Sequence, residues 1–284
     1  MRIFLLVAFL FLGGTALTGA DGDPVLVGAG DIGDCNTSGS AATAALLDHI
    51  PGTVFTAGDN VYPNGTAKDF RTCYEPTWGR HRARTRPSPG NHEYNSPDAR
   101  PYYAYFGENA GEPGRGYYSY DLGEWHLVAL NSNLAAEAET AQERWLREDL
   151  ATHPTRCTLA YWHHPLFSSG AGHDVDLRSR PFWQVLAEFR ADVVINGHDH
   201  GYERFAPQTP DGQLDEARGI REFVVGTGGA ILGWFGFPRA HSEMRKSGTW
   251  GVLKLTLHPT SYDWEFIPVA GDSFHDSGSA TCVP

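Results

Sequence analysis

Short apolar runs recur along this chain, and each ends at polar side chains suited to a metal ion. Val25-Leu26-Val27 leads to Gly30-Asp31, and Thr53-Val54-Phe55-Thr56-Ala57 leads to Gly58-Asp59-Asn60-Val61-Tyr62. Cys157 to Trp162 leads to His163-His164-Pro165, and Asp192-Val193-Val194-Ile195 leads to Asn196-Gly197-His198-Asp199-His200. Runs of this length, closed by turn residues, read as buried strands. Helical patterns fall between them. Thr37 or Ser38 can cap an Ala- and Leu-rich helix that ends at Pro51, a second helix from about Thr66 to Tyr74 is stopped by Pro76, and a third lies around Phe182 to Phe189. Strand alternating with helix predicts a layered α/β domain whose strands carry their loops at one edge, where open sheets keep their chemistry.

The rest of the chain reads as scaffold. Pro101-Tyr102-Tyr103-Ala104-Tyr105-Phe106 predicts a short aromatic helix, Tyr117 to Leu130 a hairpin turning at Asp121-Leu122-Gly123-Glu124, and Thr140 with Glu143 a capping box. Phe223 to Val225, Trp250 to Leu257 and Tyr262 to Ile267 read as antiparallel strands. In Arg80-His81-Arg82-Ala83-Arg84-Thr85-Arg86 the arginines alternate, which on a strand would line one face; this is either a phosphate contact or a solvated edge. Tyr202-Glu203-Arg204 reads as a structural ion pair.

The first residues stand apart. Met1-Arg2, an apolar run from Ile3 to Leu12 and small residues up to Ala20 form a signal-peptide pattern too short to span a bilayer, with cleavage expected after Ala20. No cysteine follows at once, so no lipid anchor is expected. The division is then residues 1–20 as leader and 21–284 as one catalytic domain, exported to the periplasm or medium. The formal charge is −12, one unit more negative without Arg2. Such a chain repels nucleic acid, and no second apolar stretch reaches membrane-spanning length, so neither partner is expected. Cys35, Cys73, Cys157 and Cys282 suit two disulfides in an oxidising compartment. Three pairings are possible. Cys35 with Cys73 and Cys157 with Cys282 is favoured, because the first pins two loops beside the polar strand ends and the second ties down the C-terminus.

Those strand ends carry the chemistry. A carboxylate such as Asp59 can bridge two cations, whereas the Tyr62 phenol, with an ordinary pKa of about 10, ligates only a strongly Lewis-acidic ion. That favours Fe(III) over Zn or Mg. His198 and His200, two apart in extended chain, can point the same way while Asp199 points elsewhere; the adjacent His163 and His164 cannot both point in. Between these elements Gly90-Asn91-His92-Glu93 adds an amide oxygen and an imidazole. Together Asp31, Asp59, Tyr62, Asn91, His163, His198 and His200 form a sulfur-free oxygen and nitrogen set suited to two ions, one hard and one borderline.

In order and spacing, Asp31-Ile32-Gly33, Gly58 to Tyr62, Gly90 to Glu93, Ala160 to His163 and Gly197 to His200 resemble the motifs of the calcineurin-like metallophosphoesterases. Tyr62 marks a similarity to the purple acid phosphatases within that family. Ala160 departs from the family's usual valine, a packing position that leaves His163 unaffected. The resemblance implies a four-layer α/β/β/α sandwich of two mixed sheets with a dinuclear site at the strand ends. It implies Fe(III) on Asp31, Tyr62 and His200, a divalent ion (Zn, Mn or Fe) on Asn91, His163 and His198, and Asp59 as the bridge. His92 and His173 would be the catalytic histidines, and His164 supports the site without an assigned role. The implied reaction is phosphomonoester hydrolysis by hydroxide generated between the ions, in a small single-domain secreted bacterial form without the N-terminal β-sandwich of the large plant members. A phosphodiesterase or nucleotidase on the same centre, or an exported module without turnover, are the alternatives.

Overall fold

A computed structural model describes residues 22–171 and 177–283. The expected leader with its cleavage after Ala20 and the expected catalytic residue His173 lie outside the described residues. In chain order the strands are β1 (Val25–Ala29), β2 (Thr53–Ala57), β3 (Thr85–Ser88), β4 (Tyr118–Leu122), β5 (Trp125–Ala129), β6 (Cys157–Tyr161) and β7 (Val193–Asn196). They continue as β8 (Tyr202–Phe205), β9 (Arg221–Val225), β10 (Ser242–Lys246), β11 (Gly251–His258), β12 (Ser261–Pro268) and β13 (Asp276–Thr281). The helices are α1 (Gly39–Leu47), α2 (Ala67–Asp69), α3 (Arg100–Phe106), α4 (Ala141–Thr152) and α5 (Arg180–Glu188).

Two mixed sheets form, ordered β13-β12-β11-β1-β2-β3 and β10-β8-β9-β7-β6-β5-β4. Within them β1, β2 and β3 run parallel, as do β5, β6, β7 and β9. Strand alternation decides what each side chain covers. Leu159 and Tyr161 of β6 enter the core between the sheets, while Ala160 and the following Trp162 turn outward under Leu146 of α4 and Phe182 and Leu186 of α5. Aromatic pairs close the inner core, with ring centroids 5.9 Å apart for Phe55 and Tyr161 and 4.4 Å apart for Tyr202 and Phe266. With α1 packed against β11, the layers run α/β/β/α, as expected. Both favoured disulfides are present, Cys35–Cys73 and Cys157–Cys282.

Several local expectations are corrected. Trp78–Arg84 is a 3-10 turn, and only Thr85–Ser88 is strand, so the arginines do not line one face. Arg80 pairs with both oxygens of Asp48 at 2.7 Å, Arg84 donates to the carbonyls of Leu47 at the end of α1 and of Ile50 and Gly52 beyond it, and Arg82 and Arg86 donate to Tyr105 O and Asn109 Oδ1. Their hydrogen bonds hold scaffold. Glu203 and Arg204 do not pair, because successive strand residues face opposite ways: Glu203 accepts from Ser169 and Ser242, and Arg204 reaches Asp276 and Glu243. The strand holding Phe223 lies antiparallel to β8 but parallel to β7. Thr140 Oγ1 caps α4 from Glu143 N–H at 3.4 Å, but the Glu143 carboxylate accepts from Glu139 N–H, so the box does not close on Thr140.

Candidate metal centre

Parallel strands of the two sheets end at one edge of the sandwich, and the loops leaving β1, β2, β3, β6 and β7 meet there. The first two loops are stitched together by Asp31 N–H to Gly58 O, Ile32 N–H to Asp59 O and Gly33 N–H to Asn60 O. Asp31, Asp59 and His198 take left-handed backbone with φ of 60°, 45° and 72°, a conformation that costs an L-residue on the order of 1–2 kcal/mol and gathers at functional sites. Close approach explains two glycines. A Cβ on Gly58 would lie 2.4 Å from His163 Nδ1, and one on Gly90 would lie 2.1 Å from Asp59 Oδ1.

Six of the seven expected ligands fall into two groups of converging lone pairs, and the seventh, Asp59, belongs to both. In the first, Tyr62 Oη lies 2.8 Å from Asp31 Oδ1, 3.1 Å from His200 Nε2 and 3.2 Å from Asp59 Oδ2. In the second, His163 Nε2 lies 3.0 Å from Asn91 Oδ1, 3.1 Å from His198 Nδ1 and 3.2 Å from Asp59 Oδ2. Asp59 Oδ1 is held by His92 N–H at 2.8 Å.

Backbone carbonyls fix the tautomers. His163 Nδ1–H donates to Ala57 O at 2.9 Å and His200 Nδ1–H to Ile231 O at 2.6 Å, so each imidazole turns Nε2 toward the centre, where it offers a lone pair once its proton is displaced. The phenol has one proton for three acceptor neighbours. Lone pairs converging at 2.8–3.2 Å in a buried site repel unless a cation lies among them, and this donor set of carboxylate, phenol, amide and imidazole fits two hard-to-borderline ions.

Without a metal ion, the cation among them is a proton. Burial opposes charge on His163 and His200, but the carboxylates of Asp59 and Asp31 outweigh it and hold each imidazole up at about 9. Burial pushes Asp59 up, yet His163 and His92 outweigh it and keep the carboxyl below the usual range. Burial, then the charges of Asp31 and Asp59, hold the Tyr62 phenol well above its ordinary value. Without a cation the phenol therefore keeps its proton.

His92 stands beside the centre. Its ring lies against Tyr62 with centroids 4.3 Å apart, its Nδ1 meets Pro63 O at 2.6 Å, and its Nε2 is 3.8 Å from Asp59 Oδ2. His164 is closer in than strand alternation predicts: it has a ligand atom within 4.8 Å of those of His163 and His198. The chain turns sharply after β6, and Ser132 Oγ, 2.7 Å from its Nδ1, anchors the ring. Burial, then the neighbouring His163 and His198, press its pKa down, so His164 is neutral.

Two further residues hold the loops. The fully buried Glu93 accepts from Gly90 N–H at 2.7 Å and Val61 N–H at 3.1 Å, and burial followed by the Asp59 charge raises its pKa to about 8. Asn60 accepts from Thr56 Oγ1 at 2.6 Å and donates to Ser88 O at 2.9 Å. Both sit inside the quoted motifs, so their places were visible in the sequence while their partners were not.

The family model described as calcineurin-like phosphoesterase matches residues 25–202. Among curated proteins, purple acid phosphatase 15 of Arabidopsis thaliana is 30% identical over 225 residues, 65% of this chain and 41% of that protein. Purple acid phosphatase 23 of the same plant is 28% identical over 213 residues, 61% of this chain and 46% of that protein. The chain thus spans less than half the length of these relatives. Among solved structures, purple acid phosphatase PPD1 from yellow lupin (Lupinus luteus) seeds aligns with a TM-score of 0.79 at 19% identity, covering 93% of this chain and 54% of that one. GAP50, the anchor in the inner membrane complex of Plasmodium, aligns with a TM-score of 0.70 at 12% identity, covering 92% and 90%. At such identities the likeness is one of fold.

Proposed function

The chain belongs to the calcineurin-like phosphoesterase family, and from that premise we propose that it is an exported acid phosphatase of the purple type, hydrolysing phosphomonoesters at a mixed-valence dinuclear centre. The observation that carries this reading is the Tyr62 hydroxyl, set within 3.2 Å of Asp31, Asp59 and His200 in a buried site. Asp31, Tyr62 and His200 would hold Fe(III), Asn91, His163 and His198 a Zn, Mn or Fe divalent ion, and Asp59 both. Bound there, the two ions would supply the Lewis acidity that activates water at low pH and neutralises phosphoryl oxygens.

The chain's own residues do the rest. Ala57 O and Ile231 O hold His163 and His200 in the tautomer that aims Nε2 at the centre. Ser132 keeps the neutral His164 beside His198. His92, with Nδ1 committed to Pro63 O, has Nε2 left to deliver a proton to the departing ester oxygen. His173 is proposed as the second histidine on the substrate. Export rests on the leader pattern and the two disulfides; among the described residues no helix is long and apolar enough to cross a membrane.

The test is a visible absorption spectrum of the oxidised protein together with its metal content and phosphomonoesterase activity at pH 5. A broad green-to-yellow band, one iron and one other metal per chain, and hydrolysis support the reading. A colourless protein with two divalent ions removes the purple type and redirects assays to diesters and nucleotides. Metal bound without any hydrolysis removes the enzyme.

A further inference from the structure

Beside the candidate centre lies a second feature that the motifs do not include. A cavity of about 170 Å³ opens next to His200, walled mainly by Trp234, Phe235, Gly170 and Gly201, with Asp199 and Ser247 as polar residues in its lining. A cavity of about 150 Å³ with apolar walls is enough to take up benzene. The chain around it is apolar and exposed: of the five large hydrophobic side chains that stand out from the surface among the described residues, Ile231, Trp234 and Phe237 lie in this one loop, with Trp234 74% exposed. Exposed aromatics gathered in one place mark a binding surface.

The loop is fixed to the centre. His200 bonds it twice, through Nδ1–H to Ile231 O at 2.6 Å and through its own carbonyl, which accepts from Gly233 N–H at 2.8 Å. On the far side, Ala171 N–H donates to Trp234 O at 3.0 Å and Gly236 N–H to Ser169 O at 2.8 Å. Phe235 is packed against Gly201, where a Cβ would come within 3.0 Å of its ring. The same imidazole therefore faces the Tyr62 hydroxyl with one nitrogen and carries the aromatic loop with the other.

The geometry points to an aryl subsite: the loop from Ile231 to Phe237 receives the aromatic ring of the ester's alcohol part while the phosphoryl group sits at the centre. The substrate class is then phosphomonoesters of ring-bearing alcohols in preference to small alkyl or polyol esters. This rests on the phosphatase reading above. Ring stacking on Trp234 and burial against Phe235 supply the selectivity, and the ester chemistry is unchanged.

Benzyl phosphate and ethyl phosphate, two alkyl esters that differ in the ring, test it in the metal-loaded protein. Trp234→Ala should lower the ratio of kcat/KM for benzyl over ethyl phosphate by about tenfold, and Leu214→Ala, an exposed apolar side chain outside the cavity lining, should leave the ratio in place. An unchanged ratio in Trp234→Ala overturns the subsite. Hydrolysis of neither ester by the parent protein sinks the phosphatase reading, and a second readout then still tests the subsite: benzyl alcohol binding to chelator-treated protein, followed by saturation-transfer NMR. Ring signals that weaken in Trp234→Ala support the subsite, and signals that do not weaken overturn it. A parent dimer that Trp234→Ala splits in sedimentation also overturns it, since the loop would then face a second copy.

Discussion

Asp59 Oδ2 stands 3.2 Å from His163 Nε2, and both side chains are buried. The same oxygen is 3.2 Å from the Tyr62 hydroxyl, so one carboxylate is common to two groups of donors, each of which draws on loops of both sheets. Replacing Asp59 with Ala should release both ions together. Metal analysis after gel filtration checks this, and a variant that keeps one ion at full occupancy would show that Asp59 is not the bridge.

Tyr62→Phe removes the phenol and leaves Asp31, His200 and Asp59 in place. The ring remains against His92, so the fold should hold. Visible colour should vanish while part of the hydrolysis stays. A variant that is still coloured sinks the assignment of Tyr62 to Fe(III).

His92→Ala should keep both ions and lose about 10²- to 10⁴-fold in kcat, the usual worth of a positioned proton donor. Its ring nitrogens contact Pro63 O and approach Asp59 only to 3.8 Å, so the donor groups stay intact. Wild-type kcat in this variant would dismiss His92 from the chemistry.

A pH effect arises far from the centre. His126 of β5 is buried with Nδ1 2.9 Å from Asp121 Oδ1 and Nε2 2.9 Å from Asp149 Oδ2, and it stacks on His153 with centroids 4.6 Å apart. Burial works against its charge, but the hydrogen bonds and charges of Asp149 and Asp121 outweigh it and raise its pKa. Because the folded protein holds the proton more tightly than the unfolded chain, this stabilisation is complete below an unfolded pKa of about 6.5 and is lost as pH rises through the higher folded value. The stability difference between parent and His126→Gln should therefore be largest near pH 5 and shrink on the alkaline side. Denaturant titrations at several pH values measure it, and a difference that grows with pH would overturn the clamp.

The Cys157–Cys282 bridge closes 125 residues, and Val283 N–H bonds Asp192 Oδ1 at 2.6 Å beside it. Loops of this length give a cross-link worth about 4–5 kcal/mol by chain entropy. A Cys157→Ala/Cys282→Ala variant should lose most of that in urea unfolding while keeping the metals.

What the sequence by itself determined is the chemistry available at each strand end. Asp31, Asp59, Tyr62, His163, His198 and His200 are legible as candidate donors because each follows a short apolar run within a few residues, and Asn91 because Gly90-Asn91-His92-Glu93 stands between two such runs; chain-local spacing is enough to place a side chain at a strand's end. The layered α/β class follows from the same alternation, whereas four cysteines leave three pairings open and folding selected the favoured one. The tertiary structure decided how these residues meet. Which oxygen of Asp59 faces which nitrogen depends on two sheets bringing their parallel strand ends together, and no single segment encodes that. It also turned His164 inward through the bend after β6, committed the arginines of 80–86 to carbonyls and carboxylates across α1 and α3, and bound the Ile231–Phe237 loop to His200. Those outcomes depend on partners distant in sequence, and local pattern carries no record of a partner that only folding supplies.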